Sequence, residues 1–212
     1  MTCLFCCILI IMDNKHREEW EHFLNPETLR ANLMLASIYI ATYEILKESI
    51  IKPVKDFYIN GFDENGYVID PKYSSEVISK GKGELYASLE WLKDSNVITS
   101  DDIELFDGIK KCRNKITHEI SRMLAEGLPT DFSDCFNNML SLVGKIGRWW
   151  VINVEIPVNP NFDGKEIIEE EIIPGQITRL RVMLDVALGS EEESNYYLNE
   201  FMKKFPKPNS SS

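Results

Sequence analysis

Residues 113–118 read RNKITH and place Arg113 and His118 five positions apart. A guanidinium makes paired hydrogen bonds to phosphate oxygens and stabilises negative charge that develops on them. An imidazole can take the proton from a ribose 2′-hydroxyl or give one to a leaving 5′-oxygen near neutral pH. The two groups together can cleave a phosphodiester, and this chemistry needs no metal ion.

Basic residues surround this pair in an otherwise acidic chain of 212 residues with a formal net charge of -11 at pH 7. The cations nearest to the pair are Lys110, Lys111, Lys115 and Arg122. A local basic patch draws a polyanion to one place, whereas the overall acidity argues against a surface that binds nucleic acid everywhere. Any RNA contact is therefore expected at this patch.

The pair must be positioned by a helix that the sequence predicts over residues 100–126. Residues 100–102 (SDD) supply caps and negative charge at its start, and Gly127 and Pro129 end it. At 100° per residue, one side carries Lys111, Lys115, His118 and Arg122, opposite an apolar arc that contains Arg113. Arg113 and His118 are then about 140° apart. They converge only through a helix distortion, the reach of the arginine, or two subunits.

The rest of the chain predicts a mostly helical fold. Apolar residues at three-and-four spacing predict further helices over residues 26–60, 83–95, 131–151, 174–188 and 191–205. Asn25 is the expected cap of the first of these, with Pro26 at its first position, and Pro53 is expected to bend or interrupt its end. Residues 61–71 predict a loop or small hairpin, and β-branched residues beyond Asn153 can form one or two short strands.

These elements predict an all-α antiparallel bundle over residues 25–152, with a small irregular, β-prone insertion. A C-terminal extension with helices follows over residues 153–205, and a Pro-Asn-Ser tail over residues 206–212 is expected to be disordered. Residues 1–24 form a separate N-terminal segment. Met12 is a second candidate start, because an ordinary polar protein beginning follows it.

In this helical setting the motif resembles that of the HEPN superfamily, whose ribonuclease members carry Arg, four to six residues, then His, often with a polar residue after the Arg. Arg113-Asn114-x-x-x-His118 matches with four intervening residues. The resemblance covers residues 25–151. It implies a metal-independent endoribonuclease that leaves a 2′,3′-cyclic phosphate, usually a homodimer with both motifs at a shared cleft, of the kind found in toxin–antitoxin and antiphage systems.

The resemblance also implies roles for single residues. Arg113 would bind and stabilise the scissile phosphate, His118 would act as general acid or base, and Asn114 would orient the pair. Some toxins of the superfamily carry a Tyr two residues after the His that their antitoxin modifies. Ile120 stands at that position here, so regulation by a cognate antitoxin or another protein would take a different route.

Several alternatives remain open. Arg17 and His22 match the same spacing in acidic surroundings, so the pattern is weak without its context. Arg113 can instead form a salt bridge to Glu44 or Glu48, and the lysines can serve solubility alone. The chain is then a non-catalytic module of the same fold that binds a nucleotide, a partner protein or a toxin, or an unrelated helical interaction protein.

The cysteine content and the apolar N-terminal residues indicate the cellular compartment that is expected for the chain. Five cysteines, with Cys3, Cys6 and Cys7 crowded at the start, indicate reduced thiols in the cytoplasm rather than a disulfide framework. Cys3-x-x-Cys6-Cys7 lacks a second ligand pair, so no metal or other cofactor is expected. The apolar residues 1–12 are too short to span a bilayer, so no membrane partner is expected.

Overall fold

The computed structural model describes residues 14–205. The predicted tail, Met12 and the three N-terminal cysteines lie outside this range. The described chain is mostly helical with one small sheet, as the sequence predicts. Its elements are α1 (Asn14–Leu24), α2 (Pro26–Phe57), β1 (Ile59–Asp63), β2 (Gly66–Ile69), α3 (Glu84–Asp94), α4 (Ser100–His118), α5 (Ile120–Glu126), α6 (Phe132–Trp150), α7 (Gly175–Leu188) and α8 (Glu191–Lys204).

The long helix α2 starts where the sequence predicts. The Asn25 side chain accepts hydrogen bonds from the backbone N–H groups of Glu27 and Thr28, at 3.0 and 3.3 Å. Buried residues then recur at three-and-four spacing, from Ala36 to Val54. Pro53 lies inside the helix, which continues to Phe57.

Within residues 14–205, the chain forms two compact units. The first comprises residues 14–44 and 99–139, and the second comprises residues 45–98 and 140–205. The predicted boundaries after residues 24 and 152 stay predictions. The first unit contains the motif helix α4 and the short helix α5, against which α1 packs.

The core of the first unit is built from α2, α4 and α6. Tyr39 is fully buried, and its hydroxyl donates a hydrogen bond to the Ile109 carbonyl at 3.2 Å. Tyr43 stacks on the buried Phe106, with ring centroids 6.1 Å apart. These contacts bury one side of α4 and leave its other side in solvent.

The second unit contains a hairpin near residues 61–71, where the sequence predicts a loop or small hairpin. β1 and β2 pair antiparallel, with Phe62 opposite Tyr67. An aromatic cluster forms the core nearby, where the Trp91 and Trp150 rings stack with centroids 6.0 Å apart. The Trp91 indole N–H donates a hydrogen bond to the Tyr58 hydroxyl at 3.1 Å.

The expectation of strands beyond Asn153 is wrong. A π-helical turn follows α6 at Val151–Glu155, and short 3-10 turns occupy Pro160–Phe162 and Glu169–Glu171. Prolines at positions 157, 160 and 174 lack the backbone N–H that a ladder requires, and no paired strand runs beside this segment within residues 14–205. No helix in that same range is both long and apolar enough to cross a membrane.

Candidate functional site

The motif helix α4 is well defined at its start. Thr99 is the N-cap and forms a capping box with Asp102. The Asp102 backbone N–H donates a hydrogen bond to the Thr99 hydroxyl at 3.3 Å. In return, the Asp102 carboxylate accepts a hydrogen bond from the Thr99 backbone N–H at 2.7 Å. The cap therefore lies one residue before the predicted Ser100. Asp101 and Asp102 in the first turn and Lys115 and His118 in the last turn also suit the helix dipole.

The motif helix ends directly after His118, not at Glu126 as predicted. Glu119 adopts φ −118° and ψ 21°, and α5 starts at Ile120. The Thr117 hydroxyl donates a hydrogen bond to the Arg113 carbonyl at 2.8 Å. The same contact from Thr42 to the Ile38 carbonyl leaves α2 unbroken, so this hydrogen bond alone does not account for the break.

The Arg113 guanidinium is held by neighbours from α2 and from its own helix. It lies over the Tyr43 ring, with its central carbon 5.5 Å from the ring centroid. One terminal nitrogen, Nη2, lies 3.4 Å from Glu44 Oε1, and the Arg113 and Glu44 side chains are 29% and 47% exposed. The predicted alternative of a salt bridge to Glu44 is thus confirmed, while Glu48 is not the partner.

Asn114 makes the second polar contact of the guanidinium. Its Oδ1 accepts a hydrogen bond from Nη1 of Arg113 at 3.4 Å. The Nε–H of Arg113 is buried and has no acceptor in the described chain. The guanidinium is therefore oriented by long contacts and an aromatic face and retains unused hydrogen-bonding capacity.

The basic stripe of α4 is exposed. Lys111, Lys115 and His118 lie in solvent, and their side chains make no hydrogen bond or ion pair with residues 14–205. Lys110 is half-buried. Arg122 lies beyond the break, on α5, and pairs with Glu119 and Glu126. The structure thus keeps the α4 cations together and places Arg122 in a separate ionic cluster.

Arg113 and His118 stay on different sides of α4. The helix is continuous between them, so no local distortion reduces their separation of about 140°. Arg113 is half-buried against α2, whereas His118 is exposed. A single copy of the helix presents the two groups in different directions.

The second match to the spacing lies on α1. Arg17 is exposed and forms an ion pair with Glu21 at 3.0 Å. His22 is half-buried, and its Nδ1 has no partner within residues 14–205. This pair lacks an aromatic face beneath its arginine in the described structure, which makes Arg17 a useful control for Arg113.

Tyr39 and the half-buried Cys135 lie near α4 and both have raised pKa values. Burial, together with the neighbouring Cys112 thiol, raises the pKa of Cys135 to about 11. Burial also raises the pKa of Tyr39 far above its usual range, with Cys112 and Cys135 adding to the effect. A protonated Cys135 thiol is a poor nucleophile at neutral pH.

Two cavities of the described chain lie away from Arg113 and His118. One cavity, of about 490 Å³, is lined by Glu48, Phe57, Trp150 and Arg179 of the second unit. A cavity of about 440 Å³ in the first unit borders Cys135. Arg113 and His118 line neither of them.

Sequence reasoning identified Glu44 but missed Tyr43 as a partner of Arg113. Tyr43 belongs to the apolar spacing of α2, and its buried ring does pack in the core. Its neighbour Glu44 is exposed. An aromatic residue next to a carboxylate on a packing helix is the signal that could have indicated a site for a guanidinium.

Metal ligands and relatives give no further indication of function. Within residues 14–205, no three His, Cys, Asp or Glu side chains cluster so that they could hold a metal ion. Comparisons of the chain with protein-family models, with curated proteins and with solved structures find no match.

Proposed function

We propose that this chain is a metal-independent endoribonuclease of the HEPN type, acting in the cytoplasm as a toxin or antiphage effector. The observation that supports this most is the setting of Arg113. Its guanidinium lies on Tyr43, is oriented by Asn114 and stays 29% exposed beside an exposed histidine on the same helix. A preorganised guanidinium of this kind suits the charge of a phosphodiester transition state.

The proposed reaction is an attack of a ribose 2′-hydroxyl on the adjacent phosphorus. The O2′–P bond forms, the P–O5′ bond breaks, and the products are a 2′,3′-cyclic phosphate and a 5′-hydroxyl. Arg113 binds the phosphate oxygens, in place of the long contact to Glu44. His118 takes the 2′-hydroxyl proton or protonates the leaving 5′-oxygen.

We further propose that the working unit is a homodimer. Because the two groups lie about 140° apart on one helix, the pairing that brings them together uses Arg113 of one copy and His118 of the other. Lys110, Lys111 and Lys115 would bind the RNA backbone beside this cleft. Arg122 would join them after leaving its carboxylate partners.

The test is cleavage of a labelled RNA pool by the purified full-length chain in EDTA. Arg113→Ala and His118→Ala should each lower the rate by about 100-fold or more, the usual contribution of such groups. Arg17→Ala is the matched control and should leave the rate unchanged, since Arg17 is an exposed, ion-paired arginine of the other match. RNA with 2′-O-methyl groups should not be cut.

The proposal fails if all three variants cut RNA as fast as the unaltered chain, or if no RNA is cut under conditions in which the chain is folded. It also fails if cleavage stops in EDTA and returns with a divalent metal. Circular dichroism of each variant shows whether a lost activity reflects lost structure.

A second candidate is a non-catalytic HEPN-like module that binds a nucleotide, a partner protein or a cognate toxin. The ion pair between Arg113 and Glu44 favours this second candidate, because the pair gives the arginine a structural role within the fold. Glu44→Gln distinguishes the two. If Arg113 binds phosphate, this change should leave the rate of RNA cleavage unchanged or increase it. If the pair is structural, the change should only lower the free energy of unfolding.

A further inference from the structure

The cavity of about 490 Å³ in the second unit has the size of a small-molecule site. Its walls come from the C-terminal part of α2, from the end of α6 with the π-helical turn that follows, and from the start of α7. All of its lining residues belong to one compact unit. Sites for small ligands have volumes of about 300–1,000 Å³. The cavity is therefore large enough for one small ligand.

A close approach of α7 to α6 shapes one wall of this cavity. Gly147 is buried, and a Cβ at this position would lie 2.7 Å from the Cβ of Pro174 and 3.4 Å from Oε1 of Gln176. A residue without a side chain is what allows the start of α7 to lie this near to α6. Gln176 and Arg179 of α7 line the cavity together with Trp150 of α6.

This wall carries hydrogen-bond donors that lack acceptors. Trp150 is only 6% exposed, and its indole N–H is buried without a partner within residues 14–205. Gln176 is in the first turn of α7, where the N-cap Pro174 supplies no side-chain acceptor and no acidic residue is present. The exposed Arg179 side chain forms no hydrogen bond or ion pair with the described part of the chain. An uncapped helix N-terminus and a guanidinium both favour an anion, so this wall suits a carboxylate.

The α2 wall carries hydrogen-bond acceptors instead. Glu48 is exposed, and its carboxylate makes no hydrogen bond or ion pair with other described residues. Pro53 has no backbone N–H, so the Ser49 carbonyl lacks the donor that a helix supplies four positions later. Lys52 pairs with Asp56 rather than with Glu48. A carboxylate and a carbonyl without donors suit an ammonium group.

Aromatic rings provide the apolar part of the cavity. Phe57 is 56% exposed, and its ring centroid lies 6.1 Å from that of Trp150. The Trp91 ring stacks on Trp150 and holds it in place. An exposed ring beside a fixed indole offers favourable contacts to the ring of a ligand.

The balance of charges limits the class of ligand. The charged lining residues are three carboxylates and two cations: Glu48, Asp56, Glu155, Lys52 and Arg179. Because carboxylates outnumber cations, a polyanion such as a nucleoside triphosphate would be repelled. A ligand with one carboxylate and one ammonium group matches the donors and the acceptors without adding net charge.

We propose that this cavity binds a free aromatic amino acid. Arg179 and the N-terminus of α7 bind its carboxylate. Glu48 and the Ser49 carbonyl bind its ammonium group, and its ring lies against Phe57 and Trp150. No residue of the RNKITH motif lines the cavity, so this site and the proposed ribonuclease activity stand or fail separately.

Isothermal titration calorimetry of the full chain at two temperatures tests the proposal. L-phenylalanine should bind at one site per chain, with a dissociation constant on the order of 100 μM. L-phenylalaninamide lacks the carboxylate, 3-phenylpropionate lacks the ammonium group, and L-leucine lacks the ring. Each of these three should bind at least about tenfold more weakly, because each loses one of the proposed contacts.

Two substitutions assign the ends of the ligand. Arg179→Gln should weaken binding of L-phenylalanine by at least about tenfold and leave that of L-phenylalaninamide unchanged, because the amide has no carboxylate to lose. Glu48→Gln should likewise weaken L-phenylalanine but not 3-phenylpropionate. Arg181→Gln is the matched control, because Arg181 is an exposed arginine of the same helix that does not line the cavity. It should leave all four affinities unchanged.

The proposal is overturned if L-phenylalanine, L-tyrosine and L-tryptophan all fail to bind at about 5 mM. Equal affinities for L-phenylalanine and L-leucine would also overturn it. If Arg179→Gln weakened the amide as much as the amino acid, Arg179 would not be the carboxylate partner. Tighter binding of adenosine 5′-monophosphate than of L-phenylalanine would assign the cavity to an anionic ring ligand instead.

Discussion

The ion pair between Arg113 and Glu44 should be weak enough for a phosphate to replace Glu44. The prediction concerns Arg113→Met, Glu44→Gln and the double variant. Methionine keeps an unbranched apolar side chain over Tyr43 but removes the guanidinium, and glutamine keeps the shape of the glutamate without its charge. The coupling free energy of the two changes then measures the pair itself.

The magnitude follows from the geometry. At the separation of 3.4 Å between Nη2 and Oε1, two unit charges attract by about 1 kcal/mol in a water-like dielectric and about 5 kcal/mol at an effective dielectric constant of 20. The side chains are 29% and 47% exposed, so solvent screens them and a value of about 0.5 kcal/mol is expected. Loss of the contact with Tyr43 adds about 0.5 kcal/mol to the cost of Arg113→Met alone.

Urea unfolding at neutral pH measures these free energies. The pair of Arg17 and Glu21, at 3.0 Å and with side chains 72% and 64% exposed, provides a control cycle of the same chemistry. Both cycles should give less than about 1 kcal/mol, and both should shrink in 0.5 M salt. A coupling of about 3 kcal/mol or more for Arg113 and Glu44 would refute the reasoning, because such a value marks a buried structural pair.

Further predictions concern the cap, the helix glycines and the thiol. Thr99→Ala should destabilise the chain by about 1 kcal/mol, because it removes the capping box of α4. Gly147→Ala should destabilise the chain by about 1–3 kcal/mol, because the new methyl group would lie 2.7 Å from Pro174. In contrast, Gly108 lies in open space within α4, so Gly108→Ala should stabilise the chain by about 0.5–1 kcal/mol. Because the pKa of Cys135 is raised to about 11, its alkylation at pH 8 should be at least about tenfold slower in the folded chain than in urea. The stability linked to this raised pKa is fully present below the ordinary thiol pKa and is lost as pH rises through about 11.

Urea unfolding checks the three stability changes, and mass spectrometry checks the alkylation. A Thr99→Ala chain as stable as the unaltered one would show that the capping box contributes little. Equal effects of the two glycine changes would contradict the close approach at Gly147. Equal alkylation rates in the folded and unfolded states would contradict the protonated Cys135.

Most helix bounds could be predicted because capping and periodicity are local properties. The bounds of α3, α6, α7 and α8 agree with the predicted ranges within about two residues, the usual uncertainty of helix ends. The N-terminus of α2 was predicted from Asn25 and Pro26, and the structure confirms the cap. The hairpin followed from the turn residues between two short apolar pieces.

Other features depend on contacts that periodicity does not record. The break after His118 is not visible in the sequence, because the apolar spacing continues across it. The helix α1 was not predicted, because its sequence has few apolar residues and its packing partner is α5. The strands expected beyond Asn153 do not form, since strand propensity requires a paired neighbour to take effect.

The candidate site was predicted in part. The ion pair of Arg113 with Glu44 was among the alternatives, and the exposed basic side of α4 follows from the helical projection. The contact with Tyr43 was not foreseen, because it depends on where α2 crosses α4. The use of Arg113, Asn114 and His118 in catalysis, and of two copies in one cleft, stays a prediction.

The most direct test of a shared catalytic cleft is RNA cleavage by a mixture of two inactive variants. Arg113→Ala and His118→Ala proteins should each be inactive alone. After equal mixing and exchange of subunits, about a quarter of the original activity should return, because half of the dimers are mixed and each of these has one intact pair of Arg113 and His118. A mixture as inactive as its components, or single variants that still cut RNA at the full rate, would contradict the account.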